Sequence, residues 1–482
     1  VRLPSAESLA AWLPAQRWFA GKAGRIAGVE IEAVVPLGGA ALVVARVRPG
    51  DGAGDRYALP LAQAPEPVDV LAEPGFARSL LRAMTAGDRI EGTGGAIRGR
   101  PTPAGAGLAI EGMAIREIGG EQSNTSIAVG DLLALKQFRR LSPGINPEEE
   151  ITRFLTERTA YRNTPRLLAS LAWEPSAGEA CALAVAHEFV AGAEDGWRWT
   201  LAELRELARD ARDAAGTGDL PGGAAAGPGD LPPRAAVSLG ALRRLGQRTG
   251  QLHAALASDP RDPAFAPEPI TGADILAWAG GIHRQVEAAR VALGGRLPVE
   301  VPDVAPALAG LIGAARIRHH GDFHLGQTLY RATAGDFAII DFEGEPLRPL
   351  AERRRKHAAL RDVAGLRRSI SYAVAAAAGG LTGAAGDAGA AATGGPDGSW
   401  RERWEADAQR AYVDGYLSAT GGECFIPATA AGFDAAVAAF ELEKAAYEIV
   451  YEANHRPAWV AIPVRGLVSA AARIRAGSSA AA

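Results

Sequence analysis

The chain is predicted to be an α+β protein of two lobes, strand-rich before about residue 190 and helical after it. Three observations predict this. Short alternating apolar runs bounded by Gly, Pro and Asp fill the first part, and apolar residues at helical spacing fill the second. A length of 482 residues is too great for one ordinary core. The densest cluster of chemically capable side chains, His319 to Gln327 with Ile339 to Pro346, flanks a short hairpin inside the helical part.

Residues 5–19 predict a short helix ending near Pro14, with a turn at Ala20-Gly21-Lys22. Strands at 26–35, 41–47 and 56–61 and a helix at 75–86 complete a cap assigned to 1–105. Gln16-Arg17-Trp18-Phe19 is expected to pack as core, because aromatics beside a helix end usually do. A β-rich nucleotide-binding lobe is assigned to 106–192. Its strands flank a polar loop, Gly119 to Ser126, and are followed by Leu132 to Phe138, which carries Lys136. Ser123, Asn124, Thr125 and Ser126 with Lys136 would cradle phosphates. This is not a Walker A loop, since its Gly-x(4)-Gly-Lys-Ser/Thr spacing is missing. A lysine on an apolar strand needs an acidic partner. The helix opened by Asn146-Pro147 offers Glu148, Glu149 and Glu150, of which Glu150 is favoured. The strand 182–190 ends in a linker near 188–192; in a kinase-like fold Glu188 and Val190 there would present backbone groups to adenine.

The C-terminal lobe is assigned to 193–482. Loops are expected at 216–230 and 379–399. Between them a helix over 235–256 carries Leu242, Leu245, Thr249, Leu252 and Leu256 on one stripe, with His253 expected in the core. A further helix, over the stretch from Phe440, stops before Pro457. It places Glu441, Glu448 and Glu452 on one face and Glu443, Tyr447, Tyr451 and Asn454 on the next. Acids beside tyrosines suit a polyhydroxylated or cationic ligand; a solvated face is the plainer alternative.

Asp322 and Asp341 stand nineteen positions apart, separated by two apolar runs and a turn. The hairpin would return Asp341 to Asp322 and Gln327. One carboxylate could then accept a proton while the other, with the Gln327 amide oxygen, holds a divalent cation. Phosphoryl transfer needs that division of labour, and Mg²⁺ prefers such oxygen donors. The layout His-x-Asp-x(4)-amide, hairpin, Asp-Phe-acid is kinase-like, with Gln327 where protein kinases carry Asn. Zinc ligation by His319, His320 and His324 is the competing reading, but no His-Glu-x-x-His or cysteine pair accompanies them.

Net charge is −4 and no basic stripe with interleaved aromatics occurs, which argues against nucleic acid as a partner. The first 16 residues lack signal-peptide character, and no span of about 20 apolar residues would enter a membrane. Two distant cysteines, Cys181 and Cys424, fit a reducing, cytoplasmic setting.

Six segments together resemble the maltokinases and the related actinobacterial glucosamine kinases, akin to aminoglycoside phosphotransferases. They are Glu-Gln-Ser-Asn-Thr-Ser (121–126), Leu-Lys-Gln-Phe-Arg-Arg (135–140), Gly-Ile-Asn-Pro (144–147), His-Gly-Asp-Phe-His-Leu-Gly-Gln (320–327), Asp-Phe-Glu-Gly-Glu-Pro (341–346) and Leu-Arg-Asp-Val-Ala-Gly (360–365). Gln-Arg-Trp-Phe-Ala-Gly-Lys (16–22) fits the same family's N-terminal cap. The resemblance implies a bilobal, eukaryotic-protein-kinase-like (aminoglycoside phosphotransferase-like) fold, with ATP, Mg²⁺ and a sugar hydroxyl as reactants; a monomer is expected. It implies Asp322 as base, Gln327 and Asp341 as metal ligands, Glu343 at a second metal or the sugar, and Lys136 on phosphates. The sugar site would take in His324, Glu345, Glu443, Tyr447, Glu448, Tyr451, Glu452, Asn454, Arg456 and Trp459. Asn454 stands where the maltokinase pattern has Arg. Losing that charge beside Glu443, Glu448 and Glu452 would suit an ammonium-bearing sugar. A carboxylate about 4 Å from an ammonium gains roughly 4 kcal/mol at an effective dielectric near 20, before desolvation. Glucosamine 6-phosphorylation is therefore expected. Maltose 1-phosphate formation, aminoglycoside phosphorylation and a non-catalytic kinase-like binding module are the alternatives.

Overall fold

A computed structural model describes residues 3–21, 25–50, 54–119, 123–216, 231–346, 348–379 and 396–481. The chain divides into two compact units, Val1–Ala191 with Leu347–Arg353, and Gly192–Pro346 with Arg354–Ala482.

The first unit opens with α1 (Ala6–Trp12), then β1 (Ile26–Leu37), β2 (Ala40–Pro49) and β3 (Asp55–Ala62) in an antiparallel sheet. Helix α2 (Pro74–Ala86) starts on a proline and stops at Gly87, whose φ of 74° is the left-handed cap that glycine adopts without penalty. The strands β4 (Arg89–Gly92), β5 (Gly95–Pro101), β6 (Ile115–Ile118), β7 (Asn124–Val129) and β8 (Leu133–Phe138) follow. Then come β9 (Arg140–Leu141), α3 (Pro147–Arg158), β10 (Leu167–Pro175) and β11 (Cys181–Glu188).

The small sheet has the order β1-β2-β3-β9 and the large one β4-β5-β10-β11-β8-β7-β6. The expected cap boundary at 105 therefore marks no break. β5 is laddered to β10 over Ala169–Pro175, a pairing between distant segments that no local period reveals. Phe76, Leu80 and Met84 of α2 share one core with Ile127, Leu135 and Trp173 of the large sheet. Trp18 and Phe19 lie in a second core with Leu9, Val43 and Tyr57, as their position beside a helix end predicts.

The second unit begins with β12 (Ala193–Asp195), α4 (Gly196–Gly216) and α5 (Ala235–Leu256). On α5, Leu242, Leu245, Thr249, Leu252, His253 and Leu256 are all buried, the stripe read from the sequence. Next come β13 (Glu268–Pro269), α6 (Gly272–Ala292), α7 (Ala305–Ala309) and β14 (Ala315–Arg316). Thr271 and Asp274 close a reciprocal capping box on α6. Strands β15 (Thr328–Arg331) and β16 (Asp336–Ile339) form the expected hairpin, and β12 extends it to three strands.

Past α8 (Leu350–Arg353), which belongs to the first unit, lie α9 (Leu360–Ala378), α10 (Pro396–Ala419), α11 (Ala430–His455) and α12 (Ala461–Ala481). Apart from their ends, the loops expected at 216–230 and 379–399 fall outside the described residues, as do Gly120, Glu121 and Gln122. No described helix is long and apolar enough to cross a membrane.

Candidate active site

In the second unit the hairpin does what its length predicts. The Gln327 carbonyl accepts from the Ile340 amide at 3.0 Å, so Gln327 and Asp341 emerge at the same end of β15 and β16. His320 ties the loop of Asp322 to that end. Its Nε2 lies 2.9 Å from the Ile340 carbonyl, which can only accept, so the proton sits on Nε2. Nδ1 is then free to accept from the Asp322 amide at 3.4 Å. Burial pushes the imidazole of the next histidine along, His324, below the usual value, against the charges of Asp322 and Asp341, which favour its protonated form. Its Nδ1 accepts from the Gly326 amide and caps the turn Leu325–Gln327. Among the described residues, no histidine belongs to a group placed to hold a metal ion, so the zinc reading finds no support.

Asp341 is the only described non-glycine residue with positive φ, at 67°. An aspartate in the left-handed region costs free energy and persists where the surroundings demand it. The carboxylate oxygens of Asp341 and Glu343 lie within 4.8 Å of one another, and both side chains are partly exposed. Two carboxylates this close offer hard oxygen donors, the kind that Mg²⁺ takes.

The backbone beneath Asp322 is held by a residue whose role the sequence did not reveal. Asp362, buried on α9, accepts from the amides of His320 at 2.7 Å and Gly321 at 3.0 Å. It also bonds His253 Nε2 at 3.0 Å, and His253 Nδ1 meets the Tyr416 hydroxyl at 3.0 Å. His253 is thus the core histidine expected, with a polar task. Burial alone would raise the Asp362 carboxyl; His319, His253 and His320 around it outweigh that and hold it well below the ordinary carboxylate range. One turn on, a Cβ on Gly365 would come 2.7 Å from the Phe323 carbonyl oxygen. Gly365→Ala should therefore displace the catalytic loop and cost about 1–3 kcal/mol, read as a lowered denaturant midpoint. An unchanged midpoint would show that the contact yields freely.

Asp322 itself is not alone. Lys444 Nζ of α11 lies 2.9 Å from Asp322 Oδ1 and 3.3 Å from Glu345 Oε1. Arg361 of α9 reaches Glu345 at 3.5 Å and grips Glu443 at 3.1 and 3.2 Å. Neither cation is among the site residues read from the sequence, where Arg361 stands only inside the 360–365 segment.

The acidic face of α11 is correspondingly corrected. Glu441 pairs with Arg367 and Arg473, Glu448 with Arg368 at 2.8 Å, and Glu452 with Arg456 at 2.6 Å. Glu443, Glu448 and Glu452 are therefore not the uncommitted carboxylates expected for a ligand ammonium. Their partners come largely from α9, some 80 positions earlier, which a search along α11 does not show. Asn454 is exposed and turns its amide back to the Val450 carbonyl at 2.8 Å. Arg456 lies over the Tyr451 and Trp459 rings, and Trp459 stacks on Tyr372. Tyr447, partly exposed, has the Lys444 ammonium 4.9 Å from its ring centre.

In the first unit, Ser126 is paired directly opposite Lys136 across β7 and β8, and Asn124 opposite Phe138. Side chains two apart share a face, so Asn124 and Ser126 lie on the Lys136 face. Thr125 does not. It points to the other side, where its hydroxyl accepts from the buried Arg139 guanidinium at 2.9 Å. Arg139 also pairs with Asp69 and lies over the Trp18 ring. Thr125 is thereby removed from the expected phosphate cradle.

The acid bonded to Lys136 at 3.0 Å is Glu148, not Glu150. Asn146 caps α3 by accepting from the Glu148 and Glu149 amides, which fixes where the first turn starts and which acid faces the strand. At the linker, the Glu188 side chain is bonded to Arg166, and the Glu188 and Phe189 amides donate to the Arg166 and Leu132 carbonyls. Ser123 and Val190 lie just outside the strands, Ser123 ahead of β7 and Val190 beyond β11.

Residues 12–86 match the maltokinase N-terminal cap domain. The resemblance read from the sequence holds: the chain is similar to the maltokinases in its cap and to glucosamine kinases along most of its length. It is 28% identical over 431 residues to a glucosamine kinase of Streptacidiphilus jiangxiensis, covering 87% of this chain and 81% of that one. A glucosamine kinase of Mycolicibacterium smegmatis is 26% identical over 359 residues, covering 72% and 77%. Among solved structures, a glucosamine kinase in complex with glucosamine, ADP and inorganic phosphate superposes with a TM-score of 0.63 at 24% identity, over 97% of this chain and 99% of that one. A second crystal form of a glucosamine kinase gives 0.65 over the same shares. The mixed α+β, kinase-like fold expected from the sequence is therefore borne out.

Proposed function

We propose that this maltokinase-like chain is an ATP-dependent kinase that phosphorylates D-glucosamine at its 6-hydroxyl. The observation that carries the kinase reading is the hairpin end. His320 links the loop of Asp322 to the Ile340 carbonyl, one residue before a strained Asp341, with Gln327 bonded alongside. Asp322 accepts the proton of the attacking hydroxyl. Lys136, held by Glu148, steadies nucleotide phosphates. Gln327, Asp341 and Glu343 would hold Mg²⁺, which neutralises charge on the transferred group. Closure over the sugar would exclude water as a competing acceptor.

The choice of sugar is supported by two relatives named glucosamine kinases that align along most of the chain, and by a solved glucosamine complex of the same fold. The charge argument from Asn454 and its neighbouring acids no longer contributes, because those acids are paired. A panel of glucosamine, glucose, maltose and kanamycin with ATP and Mg²⁺ tests the reading. Glucosamine is expected to give the highest kcat/KM and a 6-phosphate product by ³¹P NMR. Preference for maltose, with phosphate on its anomeric oxygen, would overturn it.

A further inference from the structure

Lys444 has no part in the reaction as set out above, yet it touches the proposed base. Five side chains form an alternating chain of charge: Glu443, Arg361, Glu345, Lys444, Asp322. It joins α11, α9, the loop after Asp341 and the catalytic loop. Glu345 is 3% exposed, so its contacts with Arg361 and Lys444 are made away from bulk water, where ion pairs are geometrically demanding. Burial works against the Lys444 ammonium, but Asp322, Glu345 and Glu448 outweigh it and keep the group charged.

The consequence for Asp322 is geometric. A carboxylate on a free side chain rotates, and either oxygen can turn away from an incoming hydroxyl. With Oδ1 bound by Lys444, rotation is stopped and Oδ2 becomes the oxygen left to accept a proton. A general base must lie within hydrogen-bond reach of the proton it takes, and small misplacements are costly. Glu345 holds the ammonium from the far side, and Arg361 holds Glu345.

We propose that Lys444 is a positioning residue for the kinase reaction, pinning Asp322 Oδ1 so that Oδ2 is presented to the acceptor hydroxyl, with Glu345 anchoring the lysine. This rests on the assignment of Asp322 as base. Lys444→Met keeps the chain length and removes the charge. It is expected to lower kcat about 10- to 100-fold, with KM for ATP changed less than about threefold. Lys444→Arg, which restores a cation able to reach a carboxylate, should recover most of the loss. Glu345→Gln frees the far side of the ammonium and should lower kcat less, in the same direction. If Lys444→Met does not fold, Lys444→Arg and Glu345→Gln carry the test, and wild-type kcat in Glu345→Gln with depressed kcat in Lys444→Arg would overturn the anchoring. Wild-type or raised kcat in folded Lys444→Met overturns the proposal, as does an equal loss in the Met and Arg variants. Asp322→Asn separates the two readings. If that variant is inactive while Lys444→Met is fully active, only this inference fails; if Asp322→Asn is active, the assignment of the base fails first.

Discussion

Asp322→Asn is expected to lower turnover by roughly 10²–10⁴-fold, the usual contribution of a positioned general base. The amide matches the carboxylate in shape, and its Oδ1 can still accept from Lys444, so the loop should keep its place. What it lacks is a second oxygen able to take a proton. Lys136 and Glu148 are untouched, so ATP binding measured by calorimetry should stay within a few-fold of the parent. The loss should then appear in kcat and kcat/KM together, as for an interaction made only in the transition state. A variant that turns over at the parent rate would remove Asp322 from the chemistry. One that loses ATP binding as well would show that the substitution disturbed more than the proton acceptor.

Asp362→Ala should be the most destabilising single change in the catalytic loop's support, by about 3–5 kcal/mol. It strands the amides of His320 and Gly321 and leaves His253 Nε2 facing a void. Buried donors without acceptors carry their full desolvation cost. Urea unfolding would measure the loss, and activity should fall with it. A pH series sharpens the test. The Asp362 carboxyl is held below its ordinary value in the folded protein, so the unfolded chain binds its proton first as pH falls. Its stabilisation is complete above the unfolded value of about 4 and declines as pH drops below it toward the folded value. The alanine variant should lose that part of the acid sensitivity. A parent and variant that differ by the same amount from pH 7 to pH 3 would contradict the assignment.

The roles proposed for Lys136, Asp322, Gln327 and Asp341 could be read from the sequence because their neighbours in the chain constrain them locally. A lysine on an apolar strand needs a partner nearby, and the helix after Asn146-Pro147 supplied one, wrong by two positions. The strand period settled more than the loop's composition did. Asn124 and Ser126 share the Lys136 face, whereas Thr125 must point away, a consequence of alternation that the polar run Ser-Asn-Thr-Ser conceals. The hairpin was legible too, since two apolar runs around a turn have few ways to fold. The acids of α11 misled for the opposite reason. Helical spacing shows which of them share a face but not what lies across from it. Arg361, Arg367 and Arg368 sit on another helix, and they neutralise Glu443, Glu441 and Glu448.

Local order of residues by itself determined the hairpin, the placing of Gln327 and Asp341 at one end of it, and the chemistry those side chains can perform. These follow from strand and turn geometry over fewer than about twenty residues. Only the tertiary structure decided which charges are already spent and which remain for a substrate. Lys444 is 122 positions from Asp322, and Arg361 is 82 from Glu443. An ion pair is a matter of ångströms in space, and separations of that length along the chain leave no periodic trace.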